Sequence, residues 1–79
     1  MTTITDVLID NGKVCIKVSD GSSIHLTLDE SQVNQLQKYW GYLIDSELIE
    51  ATTNEGTFTL KYRTCDEFRT CNTLHLVYD

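Results

Sequence analysis

The stretch LDESQVNQLQKYWGYLI, residues 28–44, is the one part of the chain with helical periodicity, and its reading decides the fold. Asp29 can cap a first turn, and Gln32, three residues on, can reach back to complete a capping box. Leu28 before the cap and Val33 at the fourth helical position are spaced for a hydrophobic staple. Winding the stretch at about 100° per residue gathers Val33, Leu36, Trp40, Leu43 and Ile44 into one stripe roughly 100° wide, away from Asn34, Gln35 and Lys38. Leu43 and Ile44 continue the stripe beyond Gly41, so the helix is expected to run through that glycine to about Ile44 rather than end at Trp40. Trp40 is assigned to the core, Tyr39 to the edge of the stripe and Tyr42 to the side roughly opposite. Such a stripe needs a surface to cover.

Working back toward the N-terminus, residues 4–10 and 13–19 flank Asn11-Gly12, the strongest short-range hairpin signal. Pairing them across that two-residue loop sets Ile9 against Val14, Val7 against Ile16 and Thr5 against Val18 on one side. Asp10 then meets Lys13 and Asp6 meets Lys17 on the other, with Leu8 and Cys15 between them. A slip of one residue would scramble both faces. Residues 23–28 alternate Ile24, Leu26 and Leu28 against His25 and Thr27. A three-residue loop, Asp20-Gly21-Ser22, brings Ile24 to Val18, Leu26 to Ile16 and Leu28 to Val14. The expected product is a three-stranded meander with one apolar face.

On the other side of the helix, residues 47–52 and 57–64 read as a second hairpin. A four-residue loop, Thr53-Asn54-Glu55-Gly56, sets Ala51 opposite Phe58, Ile49 opposite Leu60 and Glu47 opposite Tyr62. A last strand at 73–78 points Leu74, Leu76 and Tyr78 one way and His75 and Val77 the other. Between them, 65–72 reads as a longer loop or an irregular strand extension around Phe68. The halves echo one another, as in IHLTLD (24–29) and LHLVYD (74–79), although the spacing is not constant and hairpin patterns alone produce some of this likeness. The whole reads as one α+β domain, residues 1–79: an antiparallel sheet of about six strands in the order βββαβββ, with one helix packed on its apolar face.

Composition limits what such a domain does. Seventy-nine residues bury only about 60–65% of their unfolded surface, so stability is expected to be modest. Twelve acids against six bases give a net charge of −6, which argues against direct binding to nucleic acid or an anionic membrane and suits a basic protein partner. MTTITDV lacks the basic start and apolar core of a signal peptide, and three cysteines suit a reducing compartment, so a cytoplasmic location (a host's cytoplasm if the protein is viral) is expected.

Motifs for chemistry are sparse. Cys65, Cys71 and His75 have the spacing C-x5-C-x3-H, looser than a zinc knuckle and one ligand short, so no metal is assigned; free thiols and an ordinary strand histidine are the plainer reading. There is no nucleophile elbow, phosphate-binding glycine loop or recognisable carboxylate pair, so neither catalysis nor a cofactor is expected.

Tyr39 and Tyr42 have the composition of interface anchors. The acids Asp45, Glu47, Glu50, Asp66 and Glu67 fall in two segments that, as neighbours, would place a negative patch beside Tyr42. These seven residues form the expected protein-binding site. The resulting expectation is a small acidic, non-enzymatic module that occupies another protein's surface. Its sharpest form is a phage or mobile-element inhibitor that blocks a nucleic-acid-binding protein, as anti-CRISPR proteins and DNA mimics do. The alternative is a structural or assembly protein that pairs with itself through open sheet edges as a homodimer.

Overall fold

A computed structural model describes residues 1–78, as six strands and one helix in the expected βββαβββ order. Strands β1 (Ile4–Asp10), β2 (Lys13–Val18) and β3 (Ser23–Thr27) precede helix α1 (Glu30–Leu43). Strands β4 (Glu47–Asn54), β5 (Thr57–Arg63) and β6 (Cys71–Leu76) follow it. The six strands divide into two three-stranded antiparallel sheets, β1-β2-β3 and β4-β5-β6. A bridge between Thr3 and Glu47 joins them, flanked by bonds from the Ile4 amide to the Ser46 carbonyl and from the Leu48 amide to the Thr2 carbonyl.

The helix begins as its sequence dictates. Asp29 Oδ1 accepts from the Gln32 amide at 2.7 Å, and Gln32 Oε1 accepts from the Asp29 amide at 3.0 Å. Gln32 is also fully buried, and its Nε2 donates to the Gly56 carbonyl at 3.1 Å and, at 3.4 Å, to that of Leu76. One residue thus closes the helix cap and ties the helix to the second sheet. At the far end α1 runs through Gly41, and Ser46 Oγ donates to the Leu43 carbonyl at 2.6 Å. Leu36 and Leu43 are fully buried in a cluster that takes Ile4, Val7, Val14 and Ile16 from the first sheet and Phe58, Leu60, Leu74 and Leu76 from the second. The dry face is shared by both sheets, and the helix seals it.

Trp40 departs from the stripe. Its side chain is half exposed, and Nε1 donates to the Val7 carbonyl at 3.1 Å. That carbonyl lies on the edge of β1 facing away from β2, because Asp10↔Lys13 beside the turn is a hydrogen-bonded pair and the pattern alternates from there. The indole caps an open edge instead of filling the interior.

Parity survives between the turns and the bulges, while registers move. Beyond each bulge the faces exchange, so that Ile4 and Leu48 turn inward where Thr5 and Ile49 were expected, and Ile49 is exposed. Around Asn11-Gly12 the pairs Val7↔Ile16, Ile9↔Val14, Asp6↔Lys17, Leu8↔Cys15 and Asp10↔Lys13 form as expected. A bulge between Ile4 and Asp6 then displaces Thr5, so Ile4 faces Val18 and enters the core. In the second connection Ile24 pairs with Ile16 and Leu26 with Val14, two residues from the expected register. The loop is Ser19-Asp20-Gly21, which puts Gly21 (φ 93°) at the left-handed third position that such a loop requires. Asp20 Oδ1 accepts from the Ser22 amide and hydroxyl, and these bonds hold its carboxyl below the usual range.

The second hairpin is likewise two residues off. Ala51 pairs with Leu60 and Thr53 with Phe58 across a two-residue turn, Glu55-Gly56, with φ of 49° and 80°. A bulge at Ile49 then lets Leu48 face Tyr62 and Glu47 face Arg63. In β6, Leu74 and Leu76 are buried as expected, but Tyr78 lies half exposed over Gly56, where a Cβ would collide with its ring.

Candidate functional site

The end of α1 brings together part of the expected site. Tyr42, Asp45 and Asp66 line one open hollow of about 290 Å³ with Gly41, Ser46 and Cys65. Asp45 follows the helix with φ 68°, a left-handed conformation that aspartate tolerates, and its amide donates to the Ile4 carbonyl at 2.8 Å. The late loop is folded on Asp66, whose Oδ1 accepts from Thr64 Oγ1 and from the amides of Phe68 and Arg69, each at 3.0 Å. Those bonds, the Thr64 hydroxyl first, hold the Asp66 carboxyl below its ordinary value and keep the loop anionic.

Other members of the expected patch are placed differently. Glu47 is half-buried between two guanidinium groups, Arg63 at 3.7 Å and Arg69 at 3.5 Å. Glu50 faces Lys61 at 3.5 Å across the outer side of the second sheet. Both carboxylates are locally neutralised, so the acids do not form one continuous field. Glu67 is exposed on the same loop as Asp66, and no ion pair forms at Asp45, Asp66 or Glu67 among the described residues. Tyr39 turns toward a separate hollow of about 240 Å³, lined also by Lys38, Tyr62, Leu74 and His75. Burial, reinforced by the nearby Tyr39 and Tyr42 phenols, pushes the Tyr62 hydroxyl above its ordinary pKa.

Two apolar side chains belong to this end of the molecule without having been expected there. Phe68 is 77% exposed, more so than Tyr42 at 68%, and Met1 touches Cys65 through a 3.9 Å sulfur–sulfur contact. Phe68 was legible as an aromatic among charged loop residues, which cannot all turn inward; the contact of Met1 is tertiary and left no mark in the sequence.

The sulfur and imidazole groups are engaged separately. Cys71 Sγ accepts from Arg63 Nε at 3.3 Å, and this bond is the chief cause raising the Arg63 pKa. His75 Nδ1 meets Thr59 Oγ1 at 2.7 Å. Among the described residues, no three His, Cys, Asp or Glu side chains converge as metal ligands. No helix among the described residues is long and apolar enough to cross a membrane. No family model, curated protein or solved structure matches the chain.

Proposed function

We propose that the protein is a small acidic binding module, without catalytic activity, that works by occupying a basic surface of another protein. Its sharpest form is an inhibitor of phage or mobile-element type that covers the nucleic-acid groove of its target in the cytoplasm. The observation that carries this reading is the exposed end of the fold. There Tyr42 and Phe68 stand out in solvent beside Asp45, Asp66 and Glu67, which form no ion pair with a lysine or arginine among the described residues. Amphipathic aromatics ringed by anionic groups supply contact area and electrostatic steering together.

The test is to recover binding partners of the wild-type chain and measure their affinity for a D45K/E67K variant and for Tyr42→Ala. These positions are chosen because Glu47 and Glu50 already hold arginine and lysine, so reversing them would disturb the fold. The reading expects a basic partner, an affinity that falls as salt rises, and a loss of about tenfold or more in either variant. It also expects nucleic acid to compete for the partner. Partners that bind both variants as well as wild type would overturn the assignment of this face. A partner that holds nucleic acid and this protein together would overturn the mimicry.

A further inference from the structure

Four strand edges face outward in this fold, and three of them are guarded. Trp40 caps a free carbonyl of β1, and the segment before β1 pairs with the start of β4. The remainder of β4 is bent by its bulge at Ile49. Alongside β6 the helix sends Gln35 Nε2 to the Val77 carbonyl at 3.2 Å, and Lys38 and Tyr39 flank Thr73 and His75. Strand β3 is the least guarded: Ser23–Thr27, SIHLT, carries no proline, lysine, carboxylate or bulge. Thr53, Thr57 and Tyr78 share a hollow with its His25–Thr27 end but make no hydrogen bond to it among the described residues.

The direction of its free groups follows from the ladder. The Val18 amide donates to the Ser22 carbonyl and the Leu28 amide to that of Gly12, both in step with the pairs Ile16↔Ile24 and Val14↔Leu26. Ile24 and Leu26 therefore exchange hydrogen bonds with β2. The amides and carbonyls of Ser23, His25 and Thr27 point off the sheet, and they meet no protein partner among the described residues.

A two-fold interface requires that residue i meet j while j meets i. SIHLT satisfies this as written, because it reads hydroxyl, aliphatic, imidazole, aliphatic, hydroxyl from either end. We propose that β3 is a homodimerisation strand, pairing antiparallel with β3 of a second copy about an axis through His25. In that register Ser23 faces Thr27 of the second copy and His25 faces its own counterpart. Both are hydrogen-bonded pairs built from the backbone groups that now point outward. Ile24 and Leu26, half-buried at the margin of the core, meet each other on the inner face. The nearest lysines of the two copies, Lys17 beside Ser23 and Lys13 beside Thr27, end up about 14 Å apart, three strand spacings, and are largely screened. An uncharged strand also suits two bodies of net charge −6, since pairing there brings no carboxylates face to face. This surface lies at the start of α1, roughly 20 Å of helix from Tyr42, so it is independent of the proposed partner-binding end.

Sedimentation equilibrium over a concentration series, at low and high salt, tests the inference on the intact chain. Wild type is expected to form a concentration-dependent dimer that holds or tightens as salt rises, because screening relieves repulsion between two acidic copies. Binding to a basic partner has the opposite salt dependence, so failure of one reading is distinguishable from failure of the other. A double variant, S23E/T27E, can pair each new carboxylate with Lys17 or Lys13 inside the monomer while setting Glu against Glu across the two-fold. It should raise the dimer dissociation constant by about tenfold or more. The S23E/T27K variant, which sets opposite charges across the axis, should stay within about threefold of wild type. A wild type that remains monomeric at its solubility limit would overturn the proposal, as would a dimer indifferent to S23E/T27E. Loss of the dimer in both variants would overturn the register.

Discussion

Gln32 shows how much one polar side chain organises. Fully buried, it accepts from the Asp29 amide and donates to the carbonyls of Gly56 and Leu76, so helix cap and second sheet meet on one amide group. Gln32→Ala removes the capping partner and the side-chain donor to the part-buried Gly56 carbonyl, and takes the second donor from that of Leu76. The expected cost is about 2–3 kcal/mol, seen as a fall of roughly 2 M in the urea midpoint of a domain this small. Little change in the midpoint would mean that water replaces the amide. The capping half of this role was legible, because Asp and Gln three apart before an apolar run specify it locally. The tertiary half was not: nothing near position 32 records that Gly56 and Leu76 will lie beside it. Trp40 failed for a similar reason. Periodicity assigns a residue to a face of the helix, but whether that face meets the core or the rim of a sheet depends on where the sheet stops.

Among the elements, alternation decided which side chains turn inward as far as each bulge, and turn chemistry decided where each strand begins to pair. Ile24 and Leu26, Ala51 and Phe58 all keep their expected faces, yet both hairpins sit two residues from the expected register. A shift of two leaves the apolar pattern intact, so hydrophobicity alone does not resolve it. The deciding residues are Gly21 and Gly56, each taking the left-handed position of a shorter or earlier turn. Bulges at Thr5 and Ile49 were invisible for the opposite reason, since each conceals its extra residue within an unbroken strand sequence. The glycines also give a pair of opposite expectations, readable by thermal unfolding. Gly41 lies inside the helix with open space where a Cβ would go, so Gly41→Ala should stabilise by about 0.5–1 kcal/mol and raise the midpoint by several degrees. Gly56→Ala meets both a positive φ and the Tyr78 ring, and should destabilise by about 1–3 kcal/mol. Equal effects would contradict the placement of one or the other.

At the scale of the whole molecule, neither three-stranded sheet has a second layer of its own, and the assignment of outer surface depends on their sharing one interior. The acid-rich composition was readable, but its distribution was not. Glu47 and Glu50 are spoken for by Arg63, Arg69 and Lys61, which leaves Asp45, Asp66 and Glu67 to carry the field beside Tyr42. That pairing crosses from β4 to β5 and on to the late loop, so it required the folded chain. The candidate binding end and the free β3 edge are exterior only if α1 closes both sheets through Leu36 and Leu43. Native-state hydrogen exchange tests this closure most directly, by comparing the ladder amides of Val14 and Ile16 with those of Leu60 and Tyr62. The expected result is one opening free energy for all four, lowered equally in both sheets, by about 2–5 kcal/mol, in Leu36→Ala. Separate opening energies for the two sheets, or a Leu36→Ala effect confined to one of them, would contradict a single core sealed by one helix.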